Sequence, residues 1–374
     1  EMLRSLVGSE MCIRDRYALA ILDDDSLSHP RLEFVCTVCE EVGMEGATGI
    51  DVSMLKGKKL LNMDSEEEGV MLASCAGGCR ADVKLPVERE TVSGTKLTVS
   101  LSGLTGGHSG SEIDKGRGNA NTLMSRLLRD ASAPVAIASI DGGRKDNAIP
   151  RECTAQIIVA PDEAAAVKAS IEQAAAEIAQ EFKASDPDLK LTVSEETDCS
   201  ESAISAKDSA RVIALIEALP NGIIRMSREI DKLVETSLNL GVLKSDDAAV
   251  TLRYAVRSSV GVAKKSLKNQ LVCIAGAFAA EVTFEGDYPA WEYKKDSKLR
   301  EDMVRIFEEM YGKKPTVEAI HAGVECGLLS GKIEGLDCIS MGPDMYDIHT
   351  TEERLSISSA KRSYEYILRV IACK

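Results

Sequence analysis

Hydrophobic and polar positions along this chain follow two different textures, and the texture changes twice. Between Tyr17 and Ser74 the pattern predicts a helix over Tyr17–Leu22, a buried strand over Leu32–Val38 ("LEFVCTV"), a helix over Ile50–Leu55, and strands over Lys59–Met63 and Val70–Ser74. Helices and strands alternating in this way make part of an α/β layer. After "CAGG" the texture becomes α+β: "KLTVSLSGLTGG" alternates as a strand, "GNANTLMSRLLRD" reads as a helix, and "APVAIASIDGG" and "ECTAQIIVA" as strands. A long helix over Pro161–Ala184, the strand "LKLTVSEE", a helix near Ser209–Leu219, the strand "TLRYAVRSS" and a helix near Lys265–Ala280 follow, enough for two similar α+β units. Past "GDYPAW", a helix over Lys298–Tyr311, the strand "LDCISMG" and a closing helix over Ser358–Ile371 restore the α/β pattern.

The expected architecture is a discontinuous α/β domain with an α+β block inserted. Residues 1–16 show no helical or strand periodicity, whereas "YALAIL" begins in the middle of an apolar helix pattern, so they are expected to be a foreign or artefactual lead. The expected boundaries are 1–16 for that lead, 17–79 and 287–374 for the two parts of the α/β domain, and 80–286 for the insert.

A length of 374 residues fits two or three domains. The net charge of −15 repels a phosphate backbone and an anionic membrane surface, which argues against nucleic-acid and membrane partners. No run approaches the roughly 18 apolar residues of a membrane span, and the chain opens on no leader pattern, so a cytoplasmic location is expected. The eleven cysteines are scattered, with Cys36, Cys153, Cys273 and Cys373 in strand-like or helix-like segments, as expected of buried thiols in a reducing compartment.

The candidate chemistry is carboxylate and imidazole. Glu40 and Glu41 follow the expected strand "FVCTV", and carboxyl ends of strands are where open α/β sheets bind ligands. On spacing alone the pair reads as a solvated loop; a nearby divalent cation reverses that, neutralising one carboxylate and leaving the other as a base. Asp64 ends the next strand, and His349 lies in the loop "GPDMYDIHTTEE". This donor set suits zinc or another first-row cation. His108 stands among four glycines in "GLTGGHSG", as an active imidazole or a hairpin tip, and His321 in "AIHAGVECGLLSG" reads as a packing residue. No nucleophile elbow, Walker loop or dinucleotide fingerprint is present, which disfavours serine catalysis and nucleotide hydrolysis.

The segments "TVCEEVGMEGATGID", "LLNMDSEEEG", "CAGG", "GLTGGHSG", "GRGNAN", "DNAIPRE", "VRSS", "HAGVECGLL" and "GPDMYDIHTTEE" together resemble the cytosolic Xaa-His dipeptidases, from about Tyr17 to the end of the chain. Those enzymes belong with carnosinase, carboxypeptidase G and tripeptidase T among the co-catalytic zinc peptidases. The resemblance implies a zinc-peptidase-like catalytic domain and makes the insert the family's lid, expected to be ferredoxin-like in form, single or doubled. It implies that Glu40 is the general base, that Glu41 and His349 bind one metal, and that Asp64 binds the other. From the lid it implies His108 as an oxyanion donor reaching across the cleft, with Asn147 and Arg257 holding the substrate's carbonyl and terminal carboxylate. Glu325 is expected to line the same site. The implied cofactors are two divalent ions, zinc first and manganese or cobalt next; the implied partner is a dipeptide, and a homodimer stays open, because a doubled α+β unit can mimic within one chain the lid pairing that shorter relatives achieve between chains.

One departure stands out. The family's upstream H-x-D and "GADNG"-like segments, which supply a metal-binding His and a bridging Asp, do not occur here. The expectation is therefore a truncated, inactive version of an active parent. A deacylase of N-acyl amino acids and a non-catalytic lid-mediated oligomerisation module are the rival readings.

Overall fold

The computed structural model describes the backbone of residues 2–4, 9–40, 43–348 and 350–373, and the side chains of that set from Asp15 onward. The chain divides into two compact units, one formed by Glu1–Ala76, Glu229–Leu233 and Tyr288–Lys374, the other by Gly77–Arg228 and Val234–Asp287.

The first unit opens with β1 (Met2–Arg4), α1 (Ser9–Leu22), α2 (Glu45–Gly49), β2 (Lys59–Asn62) and β3 (Val70–Cys75). The second unit begins with β4 (Gly77–Pro86), β5 (Arg89–Ser102), β6 (Gly107–His108), α3 (Ala120–Arg129), β7 (Ala136–Gly142) and β8 (Ala148–Ile149). It continues through β9 (Cys153–Val159), α4 (Ala164–Glu181), β10 (Lys190–Ile204), α5 (Ala206–Ala218) and β11 (Gly222–Met226). Then come β12 (Val234–Ser245), β13 (Ala249–Ser258), α6 (Gly261–Ala277) and β14 (Glu281–Tyr288). The chain closes with α7 (Lys298–Tyr311), β15 (Thr316–Ile320), α8 (Glu325–Lys332), β16 (Asp337–Ser340), β17 (Met345–Tyr346), β18 (Arg354–Ser356) and α9 (Ile357–Ile371).

In the first unit a four-stranded mixed sheet, order β15-β3-β16-β2, pairs β16 with β2 in parallel and β16 with β3 in antiparallel sense. Helices α7 and α9 share its larger core, with Leu299, Met303 and Phe307 packed among Tyr366, Ile367 and Val370. The Phe307 and Tyr366 rings meet edge to face at 5.4 Å, the geometry that ring quadrupoles favour. Residue chemistry sets the ends of α7: the Ser297 hydroxyl accepts the Arg300 N–H at the start, and Gly312 takes the left-handed conformation at the end.

Three local expectations change. The helix expected from Tyr17 starts at Ser9, because "SEMCIRDR" is made of helix-tolerant residues even without an apolar stripe. Residues 32–38 are not the expected buried strand: from Glu33 on, half-buried and exposed positions alternate, with Phe34, Cys36 and Val38 exposed, and the segment pairs with no strand among the described residues. Alternation fits a strand to a half-buried surface but does not supply its neighbour. The helix expected over Ile50–Leu55 lies instead at Glu45–Gly49, since the Asp51 carboxylate accepts the Ser53 N–H and turns the chain. The described cysteines are all free; Cys153 is buried as expected, but Cys36 and Cys273 are exposed.

The second unit is two βαββαβ modules in one sheet. One, β5-α3-β7-β9-α4-β10, has strand order β10-β5-β9-β7; the other, β4-α5-β12-β13-α6-β14, has order β12-β13-β4-β14. Each is the ferredoxin-like order 4-1-3-2, read in one direction or the other, and the first module is inserted in sequence after the opening strand of the second. They join edge to edge where β7 meets β12, at Leu243↔Gly142 and Lys244↔Asp141. Helices from both modules pack onto one apolar core that includes Leu97, Leu123, Ile171, Leu215, Leu238 and Leu271.

Tyr254 on β13 is fully buried in this core, and its hydroxyl has no hydrogen-bond partner among the described residues. An unsatisfied buried hydroxyl costs about 1–3 kcal/mol. Tyr254→Phe is therefore expected to leave stability unchanged or raise it by about 1 kcal/mol. A urea midpoint lowered at constant m would show that the hydroxyl is paired.

Candidate active site

Asp64 follows the carboxyl end of β2, and its parallel neighbour β16 ends at Ser340 beside Asn62, so the two strands release their loops together. Those loops are zipped to each other. Met341 N–H donates to Asn62 O at 2.9 Å, Met345 N–H to Glu66 O at 2.9 Å, and Glu68 N–H to the Asp344 carboxylate at 2.7 Å. Arg362 of α9 grips Glu68 in a two-pronged ion pair, Nε to Oε1 at 2.7 Å. Gly342 completes the contact: a Cβ there would lie 1.6 Å from Ser65 O, so only glycine admits this approach. The structure thus brings Asp64 beside the loop that runs into position 349.

Glu40 lies in a turn, its carbonyl accepting Gly43 N–H at 3.2 Å and Met44 N–H at 3.0 Å. Cys39 before it and Met44 after it both have left-handed φ of 57°, and Asp347, two residues before position 349, has φ 53°. These are three of the six such non-glycine residues among those described, two of them on either side of Glu40, and left-handed non-glycine backbone often marks functional loops. Gly46 N–H donates to Val38 O at 2.9 Å, and a Cβ on Gly46 would sit 2.4 Å from that backbone.

Glu325 opens α8 and is buried, its Oε2 accepting the Thr37 hydroxyl at 2.8 Å, three residues before Glu40. It follows β15, which runs antiparallel to β16 and so starts from the other end of the sheet. Next to Glu325, the Cys326 thiol is pushed up by burial first and then by its contact with Cys338, with the Cys75 and Asp64 charges acting in the same direction. His321 is buried, in keeping with a packing role.

Glu41 and His349 lie outside the described residues. Among the described residues, no three side chains of His, Cys, Asp and Glu come together closely enough to hold a metal ion.

In the second unit, three sequence-designated residues gather. His108 on β6 pairs with Ala148 on β8, the residue after Asn147, and the Ser109 N–H donates to Asn147 O at 2.9 Å. The imidazole is fixed at Nδ1, which accepts the Gly110 N–H at 3.2 Å and the Ser111 N–H at 3.1 Å. With Nδ1 an acceptor, the ring proton is on Nε2, which is left as the donor. Burial first, and then the Arg257 guanidinium, hold His108 below the usual imidazole range, against an opposing pull from Glu112. The ring is therefore neutral at pH 7. Glu112 also accepts the His108 N–H at 2.8 Å and pairs with Arg117 at 2.9 Å. Sequence reasoning passed over Ser111 and Glu112, although their spacing three and four residues after His108 is the available signal.

Two outcomes follow. Gly342→Ala is expected to push Ser65, and Asp64 with it, lowering stability by about 1–3 kcal/mol in urea unfolding; an unchanged midpoint would mean that the loop yields freely. Arg257→Met is expected to raise the His108 titration midpoint toward 6.5, as read by NMR of its ring protons, because removing a neighbouring cation favours the imidazolium. A lower midpoint would contradict the geometry.

Residues 99–186 match the model of the peptidase dimerisation domain. The chain is 34% identical over 357 residues to the cytosol non-specific dipeptidase of Escherichia coli (strain K12), covering 94% of this chain and 73% of that protein. The solved aminoacylhistidine dipeptidase of Vibrio alginolyticus superimposes with a TM-score of 0.88 at 32% identity, over 95% of this chain and 73% of that one. Among the described residues, no helix is long and apolar enough to cross a membrane. With this identity sustained across nearly three quarters of a known dipeptidase, the chain belongs to the dipeptidase branch of the M20 metallopeptidase family.

Proposed function

We propose that this chain, although it lacks the H-x-D and "GADNG"-like segments from which inactivity was expected, hydrolyses dipeptides, Xaa-His dipeptides such as β-alanyl-histidine among them, in the cytoplasm, with two divalent cations of which zinc is the first choice; the dipeptidase likeness over 94% of the chain supports this. The observation that carries the reading is the cluster of the second unit. There a neutral His108 keeps its Nε2 proton available, close to Asn147 and in the field of Arg257. A neutral imidazole held as a donor suits charge that develops on a carbonyl oxygen, and a guanidinium suits a terminal carboxylate.

Glu41, Asp64 and His349 are the residues we assign to the metals, a set of oxygen and imidazole donors that first-row divalent ions accept. When bound, such ions supply a water that ionises near neutral pH. The chain's own residues then divide the work. Glu40 takes the proton of the attacking water and returns one to the leaving amine. His108 donates to the oxygen that gains charge, Asn147 holds the carbonyl, and Arg257 pairs with the substrate's free carboxylate, which limits substrates to very short peptides. Glu325 lines the site from α8. The match to a dimerisation domain supports a homodimer.

The deacylase reading differs in substrate: N-acyl amino acids would be cleaved faster than dipeptides. Steady-state assays of the chain with zinc or manganese are expected to favour β-alanyl-histidine over N-acetyl-histidine. Glu40→Gln is expected to lower kcat by about 100-fold or more, and His108→Ala by about 100- to 1,000-fold. Full activity in Glu40→Gln, or a preference for the acyl substrate, would overturn the proposal.

A further inference from the structure

We infer that Asn239 is a positioning residue for the substrate site: its buried side-chain amide clamps the loop that carries Asn147. The Asn239 Nδ2 donates to Asp146 O at 3.0 Å and to Ala148 O at 2.8 Å, the two carbonyls that flank Asn147. Both amide hydrogens are used in this way. The amide is in turn oriented from behind, because its Oδ1 accepts the Asn119 Nδ2 at 3.1 Å. Asn119 is itself fixed, its Oδ1 capping α3 by accepting Asn121 N–H at 3.0 Å and Thr122 N–H at 3.3 Å. Each of the two amides therefore has a single orientation that satisfies all its partners.

Strand geometry makes this more than a loop tether. Asn239 on β12 lies opposite Ala255 on β13, and Ser237 lies opposite Arg257, so Asn239 and Arg257 share one face of the sheet. Leu238 and Leu240, on either side of Asn239, are fully buried in the helix-packed core. Asn239 is 1% exposed, so its polar atoms can be satisfied only by these protein partners. Gly241 lets the strand pass close beneath the loop, since a Cβ there would lie 2.4 Å from Asp146 Cα and O. Through the pairing of Ala148 with His108, one clamp sets the position of both loop residues relative to Arg257.

This inference rests on the reading of Asn147 as a substrate-binding residue, and the test separates the two. Asn239→Leu, Asn147→Ala and the double variant are compared in the full chain. Hydrogen exchange reads the clamp directly. Asn239→Leu is expected to speed exchange of the Ser109 and Ala148 amides by about tenfold or more, while amides of α7 keep their rates. Unchanged exchange at Ser109 and Ala148 overturns the inference. Hydrolysis of β-alanyl-histidine reads the consequence. Asn239→Leu is expected to lower kcat/KM about tenfold or more in the native background, and less than about twofold where Asn147 is already Ala. Equal losses in both backgrounds would make Asn239 merely structural and overturn its positioning role. An unchanged kcat/KM in Asn147→Ala alone would instead sink the reading of Asn147, with the exchange result still deciding the clamp. If Asn239→Leu does not fold, Asn239→Ser is expected to speed the same amides to a smaller degree, and no increase there overturns the inference.

Discussion

A loop that carries chemistry gives up the hydrogen-bond ladders of helix and sheet, yet its buried N–H and C=O groups still need partners. In this protein side chains meet that requirement. The Asp344 carboxylate accepts the Glu68 N–H and so holds the loop after Asp64. His108 Nδ1 accepts two backbone N–H groups, and Asn239 donates to both carbonyls around Asn147. Each contact satisfies a loop backbone beside a residue to which the proposed function gives a role.

The electrostatic state of His108 is a consequence of the same economy. Because Nδ1 is committed to accepting, the ring carries its proton on Nε2. Burial and the Arg257 guanidinium disfavour a second proton. The cation adds to burial in keeping the histidine a neutral donor, and under the proposed function it would also anchor the substrate's carboxylate. Doubling of the βαββαβ module supplies the stage: the β7–β12 junction places both modules in one sheet, with the Asn239 region of β12 next to it.

Much of the fold was legible in the sequence because strong periodicity and explicit end signals coincide. Helix α7 begins and ends where the pattern predicts, with Ser297 and Gly312 at its limits. The strands β2, β3, β9 and β13 fall where alternation places them. The segment Leu32–Val38 shows the limit, since its apolar run is real but burial and pairing depend on a neighbour that no local pattern specifies. The helix expected over Ile50–Leu55 failed for a different reason, because one Asp51 side chain outcompeted the helical ladder. Of the site, the residue types were legible from motifs, and the gathering of His108, Asn147 and Arg257 required the topology. Asn239 was not legible at all: a polar residue inside "SLNLGVL" looks like an interruption of a strand until its loop partners are known.

Under the proposed function, Asp64 belongs to a cation site shared with the loop beside it. Isothermal titration of zinc into the chain and into Asp64→Asn reads out that assignment. Zinc binding to the native chain that weakens by about tenfold or more in Asp64→Asn is the expected result. Equal affinity in both proteins, or no zinc binding by the native chain, would rule out Asp64 as a zinc ligand.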